Sequence, residues 1–546
     1  MAEVRAALNS ALANQGRLVM LVGEPGAGKT KTSQQIAGHA ENNGARVLWG
    51  RCHETPGAPP YWPWVQIIRN YLAQTDADSL AQILGVGGAD VAEIVPELRE
   101  MLPDLESFSA LDDPDQARFR LFDSITNFLK RAAEQQPMVL FLEDLHWADK
   151  PSLLLLEFLG SEIADSPVML VGNYRDIELT RQHPLSETLA ELTREPHFMR
   201  VELRGLSRGE VSDFIAEYTG DIPVSDLLDA IHARTDGNPL FVNEVVRLLS
   251  EEGGLNTSGN PQAASLSIPV GVKDVIGKRL NRLSDSCSQT LTMASVIGRE
   301  FGIDELTSLV DHLTEERLIE TLDEAVAARV IEELPQEVDR YQFSHVLTRE
   351  TLYEELTGSR RARLHRRIGE AMEELYSSDL ESHVSQLAYH FSEARHSGSA
   401  DKASDYARQA GDRNLALLAY EEASRHYEVA LQNLRQDGAS SQEIQCELLL
   451  SLGEARRREG AYNLPMESFE QAFMVGKEAR LPEHAARAAI GYEDSSWRPG
   501  LFGGPAASLL REAIGMMDEE NSVLKTKATA APEPALLFSR LSGPGP

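Results

Sequence analysis

Three features of the chain predict an α/β class, a parallel sheet between helices, continued by a helical remainder. Residues 18–22 form an unbroken apolar run, Gly23-Glu24-Pro25-Gly26-Ala27-Gly28-Lys29-Thr30 follows it, and helical spacing takes over at 31–39. Residues 138–142 form a second apolar run, ending in Glu143 and Asp144. Beyond Gly205 the apolar spacing is helical, and small and aromatic residues recur at fixed offsets in the last third. Strands covered on both faces read as continuous apolar runs, and alternating them with helices requires parallel pairing.

The octapeptide has the spacing G-x-x-x-x-G-K-[ST] in a strand-to-helix turn, the context in which that spacing cradles phosphate. Its glycines let successive backbone N–H groups turn inward, and the following helix directs its positive end to the same place. Lys29 then reaches the β- and γ-phosphates, and the Thr30 hydroxyl holds magnesium. Gly23, Glu24, Pro25, Gly26, Ala27, Gly28, Lys29, Thr30 and Lys31 are thus the candidate residues for ATP or ADP. The rival reading is a glycine-rich turn carrying a surface lysine.

A buried strand that delivers two carboxylates to the sheet's C-terminal edge supplies what a magnesium shell and an attacking water need. By position Glu143 goes to the metal with Thr30, and Asp144 to the water. Asp reaches less far than Glu, so slow turnover is expected. An ordinary strand end with a helix-capping acid is the alternative. Residues 167–172 form the next buried strand, and Asn173-Tyr174-Arg175 hangs off its end. Arg175 is the second candidate catalytic residue, through the γ-phosphate, or else a surface arginine paired with Asp176 or Glu178.

At 546 residues the chain exceeds one hydrophobic core, so three or four domains are expected. Its 52 basic against 85 acidic residues leave a net charge of −33, which repels phosphate backbones and disfavours direct DNA binding. Cys52, Cys287 and Cys446 are far apart and odd in number, which fits no zinc or disulfide pattern and points to a reducing cytoplasm. No apolar run is long enough to span a membrane. Residues 1–15 carry Glu3, Arg5 and Asn9 where a secretory signal needs an apolar block, while Val4, Ala7, Leu8, Ala11 and Leu12 follow helical spacing.

Taken in order, residues 46–49 are a short strand expected to pair beside the first, and 198–203 close the sheet. Tyr61, Trp62 and Trp64 are expected to pack rather than stack bases, since only Arg51 and Arg69 are near as cations. A dinucleotide fold is excluded because no G-x-G-x-x-G turn is present. Gly237-Asn238-Pro239 reads as a helix end, an N-cap and a first helical residue. Residues 253–262 read as a linker. Short helices before 330–334 and 340–343 suggest a winged helix. Arg360, Arg361, Arg363, Arg366 and Arg367 then form the solvated face of a helix whose apolar stripe is Leu364, Ile368, Met372 and Leu375. Gly411, Tyr427 and Ala430 share their offsets with Gly453, Phe469 and Ala472, the pattern of tetratricopeptide helix pairs. Ala423 fills the remaining small position of the first repeat, and Pro465 stands there in the second. A plain pair of amphipathic helices is the alternative.

Together, the octapeptide at 23–30, Phe-Leu-Glu-Asp-Leu-His-Trp-Ala-Asp at 141–149, Asn-Tyr-Arg at 173–175 and Gly-Asn-Pro at 237–239 resemble the STAND signalling ATPases. The likeness is to their bacterial branch, found in large LuxR-type regulators and behind class III adenylate cyclase domains and grouped with Orc1-like AAA ATPase domains. It covers roughly residues 1–500. The resemblance implies Walker B roles for Glu143 and Asp144, a sensor role for Arg175, a lid contact at Pro239, and a histidine near the nucleotide at His345. The family's Gly-Arg-Glu segment expected before the first helix and near the adenine is not found there, and neither a cyclase domain nor a C-terminal helix-turn-helix is expected within these residues. The expected division is an ATPase core at 1–204, a helical lid at 205–265, a winged-helix-like domain at 266–357, tetratricopeptide-like repeats at 358–525 and a tail at 526–546 not expected to fold. The implied function is an ATP/ADP switch that couples nucleotide state to oligomerisation, or to an inducer or protein partner read by the repeats. A DNA-loading ATPase and a repeat scaffold with a structural nucleotide are the alternatives.

Overall fold

A computed structural model describes residues 1–54, 57–103, 105, 114–220, 223–251, 272–310, 314–334, 338–437, 442–461, 463–496 and 504–517. The residues read as a linker at 253–262 and as a tail at 526–546 lie outside these.

The apolar runs form a parallel sheet. β1 (Arg17–Val22), β2 (Arg46–Arg51), β3 (Met138–Glu143), β4 (Val168–Tyr174) and β5 (Phe198–Glu202) lie in the order β2-β3-β4-β1-β5. All four pairings are parallel. Alternate residues feed two cores, as the pleat dictates. Leu18, Met20, Leu140, Leu142 and Leu170 face one side, whereas Val19, Leu21, Val139, Phe141, Met169 and Val171 face the other with helices Ala2–Leu12 and Lys29–Asn42. Residues 46–49 do not pair beside β1 as expected. β4, buried along its whole length, takes the slot between β1 and β3, and the less covered β2 pairs with β3 at the edge. Trp64 and Tyr61 are fully buried, and the indole Nε1 donates to the Ser152 carbonyl at 3.0 Å, so these rings serve packing.

Helices Arg208–Thr219, Ser225–Thr235 and Pro239–Glu251 share a small core of their own. Farther on, helices Val272–Leu280, Asp285–Ile297 and Glu315–Ala327 pack with a three-stranded antiparallel sheet, order β6-β8-β7. Its strands are β6 (Glu300–Gly302), β7 (Ile331–Glu333) and β8 (Arg340–Phe343). The sequence announces the β7–β8 hairpin but not β6, whose three residues are too few to show alternation.

Helices from Gly358–Leu375 to Gly504–Met516 stack in succession. Their repeated offsets have a steric cause. A Cβ on Gly411 would come within 2.6 Å of the Tyr427 ring, and one on Gly453 within 2.7 Å of Phe469, so each glycine is the notch for a ring. Pro465 sits in the first turn of helix Leu464–Glu478, where its missing N–H costs nothing. The stripe of helix Gly358–Leu375 buries Ile368 and Met372, but Leu375 at the helix end is 40% exposed. The turn before helix Tyr420–Asp437 docks on the first unit. Ala419 is buried in that unit's core, Tyr61 Oη donates to the Leu418 carbonyl at 3.4 Å, and Arg118 pairs with Glu421 at 2.9 Å.

Candidate nucleotide site

The loop after β1 is built by two left-handed glycines, Gly26 at φ 82° and Gly28 at φ 91°. Side chains resist that conformation, which is why the spacing demands glycine. Gly28 ends the loop at the start of helix Lys29–Asn42, and the space beside its Cα is open. Lys29 is buried, and its Nζ donates to the carbonyls of Gly23 at 2.8 Å and Glu24 at 3.0 Å. Burial and then the Arg175 charge lower its pKa to about 8, against the carboxylates of Asp144, Glu178 and Glu143, which raise it. The structure therefore brings the lysine, both acids and Arg175 into one electrostatic neighbourhood. Thr30 and Lys31 stand exposed on the helix's first turn.

The tip of the loop is gripped from the helix at 239–251. Asn238 Nδ2 donates to the Pro25 carbonyl at 2.8 Å, and the Leu240 amide donates to the Gly26 carbonyl at 3.2 Å. A Cβ at Gly26 would fall 2.6 Å from Asn238 Oδ1 and 2.7 Å from Leu240 Cβ. Asn238 Oδ1 accepts from the amides of Leu240 and Phe241 at 3.1 and 3.3 Å, the cap its sequence position suggests. Pro239 starts the helix between the two gripping residues. Sequence reasoning missed Asn238 and Leu240 as loop contacts because capping already accounts for the asparagine, and its amide nitrogen finds its partner 213 residues away.

Both acids are held by arginines. Glu143 is 3% exposed, and its Oε2 accepts from Arg51 Nη2 at 3.0 Å and Nε at 3.3 Å. Asp144 is left-handed at φ 59°, and its Oδ2 accepts from Arg299 Nη1 at 3.1 Å. Asn173 at the end of β4 ties the two together. Its Nδ2 donates to Glu143 Oε1 at 3.4 Å, and its Oδ1 accepts from the Asp144 amide at 2.8 Å. Arg51 also donates to Glu300 Oε1 at 3.1 Å and Gln342 Oε1 at 3.0 Å, both on the three-stranded sheet. Neither Arg51 nor Arg299 has a sequence signal for this role, since the charges they meet lie 92 and 155 residues away.

Arg175 takes Glu178 as its partner at 2.6 Å, but in a buried position, with its guanidinium 4.8 Å from the Trp147 ring centroid. His345 caps helix Val346–Glu354, its Nδ1 accepting from the Leu347 amide at 3.1 Å. Burial, then the charges of Arg299 and Arg175, push its pKa down to about 4, so it is neutral at pH 7 and keeps its proton on Nε2. The residues fit a bound triphosphate in kind: an open glycine cradle, a helix N-terminus and a poised ammonium. The hydroxyl of Thr30 and the two carboxylates are oxygen donors suited to magnesium.

A parallel sheet that presents such a loop after one strand and paired acids after another defines a P-loop nucleoside-triphosphatase core. Residues 1–171, about a third of the chain, match the family model described as AAA ATPase domain. A curated relative, an uncharacterized protein of Rhizobium meliloti (strain 1021), is 24% identical over 439 residues, 77% of this chain and 40% of that protein. The chain thus spans well under half of that relative's length. Among solved structures, a STAND protein with a tetratricopeptide repeat sensor from Pyrococcus horikoshii is 13% identical, covering 98% of this chain and 80% of that one, at a TM-score of 0.41. A Walker-type ATPase of Pyrococcus abyssi is also 13% identical, over 64% of this chain and 94% of that one, at a TM-score of 0.30. Among the described residues no helix is long and apolar enough to cross a membrane.

Proposed function

We propose that the chain is a slowly hydrolysing regulatory ATPase, a switch whose nucleotide state sets how the units beyond residue 205 sit on the ATPase core. Through them it controls oligomerisation or partner engagement in signal transduction or transcription regulation. The observation that carries this reading is the sharing of charges. Arg299 holds Asp144, and Arg51 is divided between Glu143 and the Glu300–Gln342 pair. The phosphate-side acids and the three-stranded-sheet unit therefore draw on the same two guanidinium groups, so a change at one is felt at the other.

In this reading residues 23–31 bind the phosphates, with Lys29 turning from the loop carbonyls to the phosphate oxygens. Glu143 and Thr30 hold magnesium, which when bound supplies charge neutralisation between the phosphates. Asp144 orients the attacking water once Arg299 yields it, Arg175 responds to the γ-phosphate, and the segment at Pro239 acts as a lid. His345 offers a neutral N–H donor. The chain divides at about residues 204, 265, 357 and 525, as its sequence suggests. DNA loading is disfavoured, because Arg366 and Arg367 of the basic cluster donate to the carbonyls of Ser397 and Leu309 within the chain itself.

Four measurements test the reading. Denaturing the purified chain should release bound ADP or ATP, and particle size should differ between ADP and a non-hydrolysable ATP analogue. Lys29→Ala should abolish nucleotide binding, and Asp144→Ala should slow phosphate release about tenfold or more. Equal release by wild type and Asp144→Ala, with no change in particle size, would leave only a scaffold with a structural nucleotide.

A further inference from the structure

A cavity of about 440 Å³ lies where the ATPase core, the three-stranded-sheet unit and the repeat helices meet. Trp62 and Arg69 line it from the first, Arg299 and Glu300 from the second, and Arg413 from the third. That volume is in the range of small-molecule sites, which run roughly 300–1,000 Å³. None of the loop residues 23–31 belongs to its wall.

The polar groups of this wall are unevenly satisfied. Nε1 of Trp62, Nε of Arg69, Nε of Arg299 and Nη1 of Arg413 are buried with no hydrogen-bond acceptor. The carboxylates around them are largely engaged. Glu97 pairs with Arg69, Glu93 with Arg99, and Glu300 with Arg51. Glu305 accepts from Tyr376 Oη at 3.1 Å and from the Gly302 amide at 2.9 Å. Asp379 and Glu381 oppose part of the Arg413 charge. One acceptor is also unmet, Oε2 of Glu97. The surplus is of N–H donors, most of them on guanidinium groups that favour oxyanions over neutral acceptors.

We propose that this cavity binds a small effector bearing a carboxylate or a phosphate ester, and that its occupancy is transmitted to the nucleotide site. The transmitting residue is Arg299. One face of its guanidinium group holds Asp144 at 3.1 Å, while its Nε, in the same planar group, lacks an acceptor. An oxyanion that accepts from Arg299 competes with Asp144 for that cation. The neighbouring Glu300 carries the same signal to Glu143 through Arg51. Binding of the oxyanion stands on the cavity alone. Its transmission rests on the switch reading.

The full chain, saturated with ADP to fill the phosphate loop, is titrated by calorimetry with citrate and, separately, with glycerol 3-phosphate. At least one binds, and which one separates a carboxylate from a phosphate ligand. Arg413→Gln weakens that binding about tenfold or more, and so does Trp62→Phe, which keeps an aromatic ring and removes the N–H. Lys29→Ala, assayed without nucleotide, retains it, so the phosphate loop is not what holds the anion. No binding of either anion by the wild-type chain, or equal affinity in wild type and both cavity variants, overturns the site. The bound anion also changes the release rate of a fluorescent ADP several-fold, and an unchanged rate overturns the transmission. Should Lys29→Ala still bind ATP, the switch reading falls, while the nucleotide-free titration continues to decide the cavity.

Discussion

Lys29 meets two carbonyl oxygens where a phosphate belongs, and its burial beside Arg175 leaves it a weak cation with a pKa of about 8. A phosphate binds its protonated form, so binding above pH 8 must draw a proton from solution. Nucleotide affinity should then fall as pH rises through 8, by up to about tenfold per pH unit, with proton uptake seen by calorimetry in buffers of different ionisation enthalpy. Lys29→Arg, whose charge is fixed, should flatten that dependence. A wild-type affinity constant from pH 7.5 to about 9.5 would refute the role given to the lysine. Asn173 acts differently, through positions rather than charge. Asn173→Ala leaves the Asp144 amide without its buried acceptor, at a cost of about 1–3 kcal/mol in stability. It should lower turnover while leaving ADP affinity nearly unchanged, and equal losses in both would make its role merely structural.

At the scale of elements, the repeated glycines test whether offsets in the sequence report packing. Gly411→Ala would press a methyl against the Tyr427 ring and should destabilise the chain by about 1–3 kcal/mol. Gly38, inside helix Lys29–Asn42, has open space where a methyl would go, so Gly38→Ala should instead stabilise by up to about 1 kcal/mol. Denaturant unfolding of the two variants should shift in opposite directions. The same contrast marks what is legible in the sequence. Apolar runs at 18–22 and 138–142 announce strands, and G-x-x-x-x-G-K-[ST] announces a loop, because the causes are local. Gly237-Asn238-Pro239 is legible as a cap for the same reason. The slot β4 takes between β1 and β3, the third strand at Glu300–Gly302, and the arrival of Arg299 at Asp144 depend on partners far along the chain. Glu178 is legible as a partner for Arg175, yet the burial of Arg175 against Trp147 follows from tertiary packing that no local spacing encodes.

Across the whole molecule, buried histidines within and between the units make its stability depend on pH. His345 lies between the nucleotide site and the three-stranded sheet's neighbouring helix. His365 and His390 meet at 2.9 Å between helices Gly358–Leu375 and Leu380–Glu393. Burial holds the pKa of His345 and His365 down to about 4, and that of His146 and His426 to about 3. Unfolded histidine titrates near 6.5. Between that pH and the folded values the unfolded chain binds protons that the native chain refuses, so stability is lost as pH falls from about 6.5 toward 4. Asp149 works in the opposite sense. Its burial raises its pKa to about 6, so the native carboxyl takes a proton before the unfolded one and offsets part of the loss. His53 and His390 are held down in the same way, while burial raises Glu157, Glu350, Glu459 and Asp494 as it does Asp149, and the histidines prevail because the native chain refuses their protons across the whole interval, which leaves a net destabilisation by pH 5. The thermal midpoint should accordingly drop between pH 7 and about pH 5, and His426→Gln, which removes one such group from the repeats, should shrink the drop. A midpoint that holds steady or rises across that interval would mean that these imidazoles are hydrated in solution and not buried as the packing places them.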